Sequence, residues 1–131
     1  MNKIVQLCFF TIFVLQVSSC SKPITIPRDQ LYKLTVAKDP EAHLVIPGLG
    51  QGVKCTDYGP GCVGAHTVAL KRVEMIAVEY DTEESAIKDA VRLNAYYIKN
   101  WIFDDVTDEP VLEKFVIEAY GAVNPNKVKK P

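Results

Sequence analysis

The sequence lacks a dominant charge, a hydrophobic run of membrane-spanning length and a C-x-x-C pair of cysteines. Fifteen basic and sixteen acidic residues leave a net charge of −1, so no global field draws nucleic acid or an acidic ligand to the chain. The four cysteines form no C-x-x-C pair, which removes the usual signature of zinc sites and of thioredoxin-like redox centres. A chain of 131 residues, 48% of them hydrophobic, suits one globular domain with short extensions.

The hydrophobic run at the N-terminus, Ile4 to Val17, is too short to cross a bilayer. As a helix, about 14 residues span roughly 21 Å at 1.5 Å per residue, whereas the hydrocarbon core is about 30 Å thick. Lys3 precedes the run and small residues follow it, which is typical of an export signal that is removed from the mature protein. The alternative is a buried helix of the domain, which would have to be apolar on every side.

A cysteine closes this segment in the order Val17-Ser18-Ser19-Cys20. Small residues just before a cysteine, at the end of an apolar run, resemble the lipobox of bacterial lipoproteins. The resemblance implies that residues 1–19 are a signal peptide, that the Cys20 thiol receives a diacylglyceryl group, and that its amino group receives a fatty acid such as palmitate. The family most often has Leu where this chain has Val17, so a plain secretory cut near Ser19 is the alternative. The resemblance covers residues 1–20 only.

The cysteine count favours acylation of Cys20. Cleavage before it leaves Cys20, Cys55 and Cys62, and an odd free cysteine is unfavourable in an exported protein. If Cys20 carries lipid, the other two cysteines are free to pair. Acyl chains, at about 0.8 kcal/mol per buried CH₂, would then hold the protein on a membrane. By the same resemblance, Ser21 rather than Asp after the cysteine implies the periplasmic face of the outer membrane, in an organism that has one.

The mature chain divides into three parts. Residues 20–30 are predicted to be the lipidated cysteine and an extended tether, because Pro23 and Pro27 disfavour helix there. Residues 31–123 are predicted to form a single α+β domain, and residues 124–131 a disordered basic tail. Within the domain, the alternating pattern of residues 31–37 predicts a strand.

The second half of the domain alternates strands and helices. Residues 73–80 read as a strand, residues 82–94 as a helix, and Tyr96 to Phe103 as another strand. Continuation of the helix through Tyr96 to Phe103 is the alternative. A further helix begins at Pro110 and ends at Gly121. This order predicts a small sheet with a βαβ unit, its two strands parallel, and two helices packed on one face.

The first of these helices has its own start signal. Asp81 stands where an N-cap is expected, and Glu84 follows three residues later. This spacing is typical of a capping box, in which the two side chains bond to each other's backbone N–H groups.

A glycine-rich loop from Gly48 to Gly64 contains the most specific candidate residues. It includes Cys55 and Cys62, for which a disulfide is predicted in an oxidising compartment. Such a short closed loop stabilises a fold by about 2–3 kcal/mol. The alternative is a site for Zn or Cu(I) formed by Cys55, Cys62 and His66, with His43 as a further ligand.

The remaining candidates are aromatic. Tyr97, Lys99 and Trp101 occupy alternate positions of one predicted strand and would form a partner-binding face. Core packing is the alternative reading for the aromatic residues of this strand.

No set of residues forms a recognised catalytic motif, so the chain is expected to be a non-enzymatic envelope lipoprotein. Its domain would bind an envelope protein or a cell-wall component, with no cofactor and no nucleic acid. The alternative is a metal-binding or redox-sensing lipoprotein that uses Cys55, Cys62 and His66. A small hydrolase is the third reading.

Overall fold

The computed structural model describes residues 25–128, so the predicted signal peptide, Cys20 and residues 129–131 lie outside the described residues. Three helices and five strands follow one another as α1 (Arg28–Lys38), β1 (His43–Leu44), β2 (Cys62–Ala69), β3 (Glu74–Tyr80), α2 (Glu83–Leu93), β4 (Tyr96–Ile98), β5 (Trp101–Asp104) and α3 (Pro110–Tyr120). None of the helices in this part of the chain has the length and apolar character needed to cross a membrane.

The five strands form one antiparallel sheet in the order β1-β2-β3-β5-β4. The predicted α+β class is therefore confirmed. β3 and β4 run in the same direction and are joined by α2, but β5 lies between them and is antiparallel to both. The predicted strand from Tyr96 to Phe103 is two strands, because the chain reverses at Lys99, whose φ is 52°.

The two faces of the sheet are covered by different helices. Met75 and Ala77 of β3 pack in a core cluster with α1 and α3, whereas Val78 and Tyr80 pack in a second cluster with α2. The alternation of side chains along β3 sends its neighbouring residues to opposite faces. The two helices predicted from the sequence, α2 and α3, therefore lie on opposite faces, and the helix that shares a face with α3 is α1.

The strand predicted over residues 31–37 is wrong, since these residues belong to α1. Leu31 and Thr35 are its buried residues, and their spacing of four places both on one side of a helix. Asp29 in the first turn and Lys38 in the last match the helix dipole. In a segment of seven residues, apolar and polar side chains can alternate without forming a strand. Packing against the sheet and α3 stabilises the helix here.

The ends of α2 and α3 follow from local chemistry. Thr82, not Asp81, is the N-cap of α2, and its side chain accepts a hydrogen bond from the Ser85 N–H at 3.1 Å. Pro110 occupies the first turn of α3, and Gly121 ends that helix with φ 69°, as predicted. Glycine suits this left-handed position because it has no side chain.

The N-terminal segment is bound to the sheet before α1 begins. The Ile26 N–H donates to the Asn100 side-chain oxygen at 2.8 Å, and the Trp101 indole N–H donates to the Ile26 carbonyl at 2.8 Å. This contact lies where β3 ends and β5 begins, and we call it the tether end of the sheet. The turn between β2 and β3 marks the opposite end, the turn end. Residues 26–30, which were predicted to belong to an extended tether, are instead bound to the sheet at Ile26 and helical from Arg28, and residues 20–24 of that prediction lie outside the described residues.

The packed structure also extends beyond residue 123, where the tail was predicted to start. Asn124 is buried and its amide donates to the Asn94 side chain at 3.0 Å. The Lys127 ammonium lies 3.1 Å from the Glu113 carboxylate. These polar contacts, rather than apolar burial, hold residues 124–127 against the domain, which explains why composition alone suggested a tail.

Candidate functional site

The predicted disulfide is present in the glycine-rich loop. Cys55 and Cys62 are bonded, with their Cα atoms 5.5 Å apart. The loop that they close lies against α2. Two of its glycines come close to this helix: a side chain at Gly59 would meet the Asp89 carboxylate, and one at Gly61, where φ is 93°, would meet Asp81 and Ser85. Only glycine allows the loop to approach α2 so closely.

A buried carboxylate holds this loop in place. Asp89 is 3% exposed and accepts hydrogen bonds from the Gly59 N–H at 2.9 Å, the Arg92 side chain at 2.6 Å and the Tyr80 hydroxyl. Burial by itself would raise the pKa of Asp89, but these hydrogen bonds outweigh it and lower the pKa below the usual range. Burial and the bond to Asp89 raise the pKa of Tyr80. Asp89 therefore has three hydrogen-bond donors around it, and these bonds hold the loop against α2.

The opposite face of the sheet contains an apolar cavity of about 40 Å³ between α1 and strands β1 to β3. That volume is enough for two or three water molecules or for a small apolar group. Both histidines of the chain reach its wall, so the structure brings His43 and His66 together at one cavity. The full lining is Arg28, Leu31, Tyr32, Thr35, Ala42, His43, Leu44, His66, Val68, Ala77 and Trp101.

His66, which lines this cavity, carries an unsatisfied polar atom. Its Nε2 atom is buried and has no hydrogen-bond partner among the described residues. The nearby Arg28 side chain pairs with Glu79 at 2.9 Å. Burial, reinforced by the positive charge of Arg28 and opposed by Glu79, lowers the pKa of His66. His66 is therefore neutral at pH 7, and its Nε2 keeps one unused hydrogen-bonding position.

Exposed apolar side chains border the cavity. Tyr32 and Leu44 line it and are about half exposed, and the loop after β1 adds more apolar surface, with Ile46 92% and Leu49 106% exposed. We call the set Tyr32, Leu44, Val45, Ile46 and Leu49 the apolar rim. Single exposed apolar residues are ordinary, but Tyr32 and Leu44 lie together at one cavity, and grouped exposed apolar side chains mark interaction surfaces.

The structure does not bring the predicted metal ligands together. The two cysteines are bridged, and a disulfide offers no thiolate to a metal. Cys62 packs with the cluster on the α2 side, whereas His66 lines the cavity on the α1 side. His43 is exposed, and its Nδ1 lies 3.1 Å from the Glu41 carbonyl. Within residues 25–128, no group of three or more His, Cys, Asp or Glu side chains converges on a metal position.

The predicted binding face of Tyr97, Lys99 and Trp101 is also dispersed. The reversal at Lys99 breaks the alternation, so Tyr97 packs on the α2 side and Trp101 on the α1 side. Trp101 is 1% exposed and belongs to the core. The strand periodicity that suggested a common face does not continue through a turn.

Sequence reasoning missed two features, the Asp89 network and the cavity. Asp89 could have been found, because it lies between Ala86 and Ala90 on the apolar stripe of α2, where a charged residue needs a partner. The cavity left no local signal. It is made by α1, which was predicted as a strand, and by residues far apart in the chain.

The chain matches no protein-family model, no curated protein and no solved structure at a significant level.

Proposed function

We propose that this chain is a membrane-anchored envelope lipoprotein whose α+β domain is a non-enzymatic binding or accessory module. The observation that carries the proposal is the bond between Cys55 and Cys62. Disulfides of this kind persist in oxidising compartments outside the cytosol. The bond also leaves Cys20, after the lipobox-like Val17-Ser18-Ser19, as the cysteine of the mature chain without a disulfide partner.

The α1 side of the domain supports the binding role. An apolar cavity whose lining includes a few polar side chains, among them His66 with its unpartnered Nε2, has the mixed composition of a binding site. On the α2 side, by contrast, Asp89 and Tyr80 are fully engaged with each other and with the loop. A module of this kind would bind an envelope protein or a cell-wall component on the α1 side, and the cavity would take no more than one small apolar group of that partner.

Acylation of Cys20 is tested with the full precursor expressed in a bacterium. We expect the wild-type protein to incorporate a clickable palmitate analogue and to enter the detergent phase of Triton X-114. The Cys20→Ala variant should lose the label and either accumulate as precursor or move to the aqueous phase.

Cys8→Ala is the matched control. Cys8 lies in the segment that is predicted to be removed, so this variant should be labelled and processed like the wild type. A Cys20→Ala protein that is still processed and still bound to the membrane would refute the anchor.

A further inference from the structure

A second concave surface, at the turn end of the sheet, is separate from the cavity beside His66. It is a groove of about 250 Å³ between the C-terminal end of α1, the turn between β2 and β3, and α3. The Lys71 N–H donates to the Asp39 carboxylate at 3.3 Å, which links the turn to α1. The Lys38 ammonium lies 2.6 Å from the Glu118 carboxylate, which links α1 to α3. The three walls of the groove are therefore joined to one another within the domain.

The floor of the groove is apolar. Leu70, Val73 and Phe115 line it from the turn and from α3, and Val111, which also lines it, is 59% exposed. An exposed apolar side chain of this kind gains free energy when another apolar group covers it. The groove is open to solvent rather than enclosed, so a side chain of a partner can enter while the partner's backbone stays outside.

The charged side chains of the groove are mainly basic. Its two carboxylates, Asp39 and Glu118, are already engaged with Lys71 and Lys38 of the groove itself. Arg72 and Lys114 also line the groove, and neither forms an ion pair within residues 25–128. In a chain whose net charge is −1, this groove is a local concentration of positive charge, which favours an anionic partner.

We infer that this groove binds an acidic segment of a partner protein. One apolar side chain of the segment lies on the floor, and its carboxylates lie beside Arg72 and Lys114. The floor alone would accept any apolar group and the basic side chains any anion, but a partner with both properties uses the whole groove. A peptide segment suits an open groove better than a free amphiphile does, because sites for small molecules bury most of the ligand.

The inference goes beyond the proposed function and does not depend on lipid at Cys20. The groove shares no lining residue with the cavity beside His66. The domain would therefore have two separate places of contact on the side of the sheet that α1 and α3 cover.

The test uses the full chain, purified in a nonionic detergent, and a phage library of random peptides as the probe. We expect the peptides enriched on the wild type to combine acidic residues with a large apolar one. Their affinity, measured by fluorescence anisotropy, should be about tenfold lower for the Arg72→Glu/Lys114→Glu variant, because two attractive contacts become repulsive. Binding should also weaken as salt is added, since these contacts are exposed.

Lys33→Glu/Lys88→Glu is the matched control. Both lysines are exposed and lie outside the groove, so this variant changes the net charge equally and should bind like the wild type. For the floor, Val111→Ser should lower the affinity about threefold, whereas Val91→Ser, at an exposed valine of α2, should not. Urea unfolding of each variant verifies that the fold is retained.

Enriched peptides without acidic residues, or no enriched peptides at all, would overturn the inference. Acidic peptides that bind the two double variants equally would also overturn it. Laurate is the probe for a free amphiphile: if it binds in a manner that requires Arg72 and Lys114 and the peptides do not, the assignment to a protein segment is wrong. None of these outcomes bears on acylation of Cys20, which palmitate labelling tests separately.

Discussion

The two faces of the sheet differ in how completely their polar groups are hydrogen-bonded and their apolar side chains are covered. On the α2 face, a disulfide loop is fastened by the buried Asp89, which accepts three hydrogen bonds. On the α1 face, a cavity remains, the His66 Nε2 has no partner among the described residues, and apolar side chains stand in solvent. One face is closed by saturated polar contacts, and the other keeps unsatisfied groups near its surface.

The difference indicates that the two faces contribute unequally to the stability of the domain. A small domain has a modest core, so a covalent staple and a buried network on one face contribute a large share of its stability. That contribution allows the other face to keep features that are costly to folding but useful for contact. The predictions that follow test whether the two faces are as different as their contacts indicate.

Removal of the buried carboxylate should have the largest effect. Asp89→Ala leaves the Tyr80 hydroxyl and the Gly59 N–H without their acceptor, and buried donors left in this way cost about 1–3 kcal/mol each. We expect the free energy of unfolding in urea to decrease by about 3 kcal/mol. Glu84→Ala, which changes an exposed carboxylate of the same helix, should stay within about 0.5 kcal/mol of the wild type.

The same carboxylate should make the fold sensitive to acid. Because the folded state lowers the pKa of Asp89, the unfolded state binds its proton first. The stabilisation is therefore complete above the ordinary Asp pKa of about 3.9 and is lost as the pH falls below it. Asp89→Asn should flatten this part of the stability curve measured by urea unfolding. If the stability of Asp89→Asn falls at low pH as steeply as that of the wild type, the hydrogen bonds described do not lower the pKa of Asp89.

Removal of the disulfide should have the next largest effect. For the loop closed by Cys55 and Cys62, the chain-entropy relation gives about 2.5 kcal/mol, so the Cys55→Ser/Cys62→Ser variant should lose about that much in urea unfolding. Reductant should reproduce the loss in the wild type and have no effect on the variant. A wild-type mass equal to that of the fully reduced chain would contradict the bond.

Replacement of one buried alanine by valine on each face compares the packing of the two faces directly. Ala77 lines the cavity on the α1 side and Ala90 is fully buried on the α2 side. Ala77→Val has space for its added methyl groups and should stabilise the domain by about 0.5 kcal/mol. Ala90→Val overfills a closed site and should cost about 1–3 kcal/mol. Equal losses in the two thermal denaturation curves would show that the cavity is not usable space.

The smallest effect concerns His66 and appears as a pH dependence. Its pKa is lowered in the folded state, so the unfolded chain takes up the proton first and stability decreases as the pH falls below about 6.5. His66→Leu should remove this decrease between pH 7 and 5 in urea titrations. His43→Leu, at an exposed histidine, is the control and should leave it in place.

The sequence predicted most of the features that depend on neighbours in the chain. The disulfide, the position of α2 to within a residue and both ends of α3 followed from turn residues, capping and periodicity. The features that depend on distant residues were harder. α1 shows little contrast between its faces, since only Leu31 and Thr35 are buried, and its packing against α3 outweighs the alternating pattern. The tight turn at Lys99 has no glycine to signal it, so two short strands read as one.

The candidate site was predicted only in part for the same reason. His66 was identified as a candidate, but as a ligand beside Cys62. The irregularity in the β2–β3 pairing between Cys62 and Gly64 interrupts the alternation and separates the two side chains. The wall that His66 shares with Tyr32 and Ala77 comes from α1, β2 and β3, and no spacing within one segment encodes it.

The contact of Ile26 with Asn100 and Trp101 has a mechanical consequence. A pull on the N-terminus would reach the hairpin of β4 and β5 through these two hydrogen bonds before it could unwind α1. Tension would therefore be borne by β5, which is bonded to β3 and β4 inside the sheet. With the chain held at Cys20 as proposed, the drag of a bound partner would reach β5 and its two neighbouring strands before it reached α1.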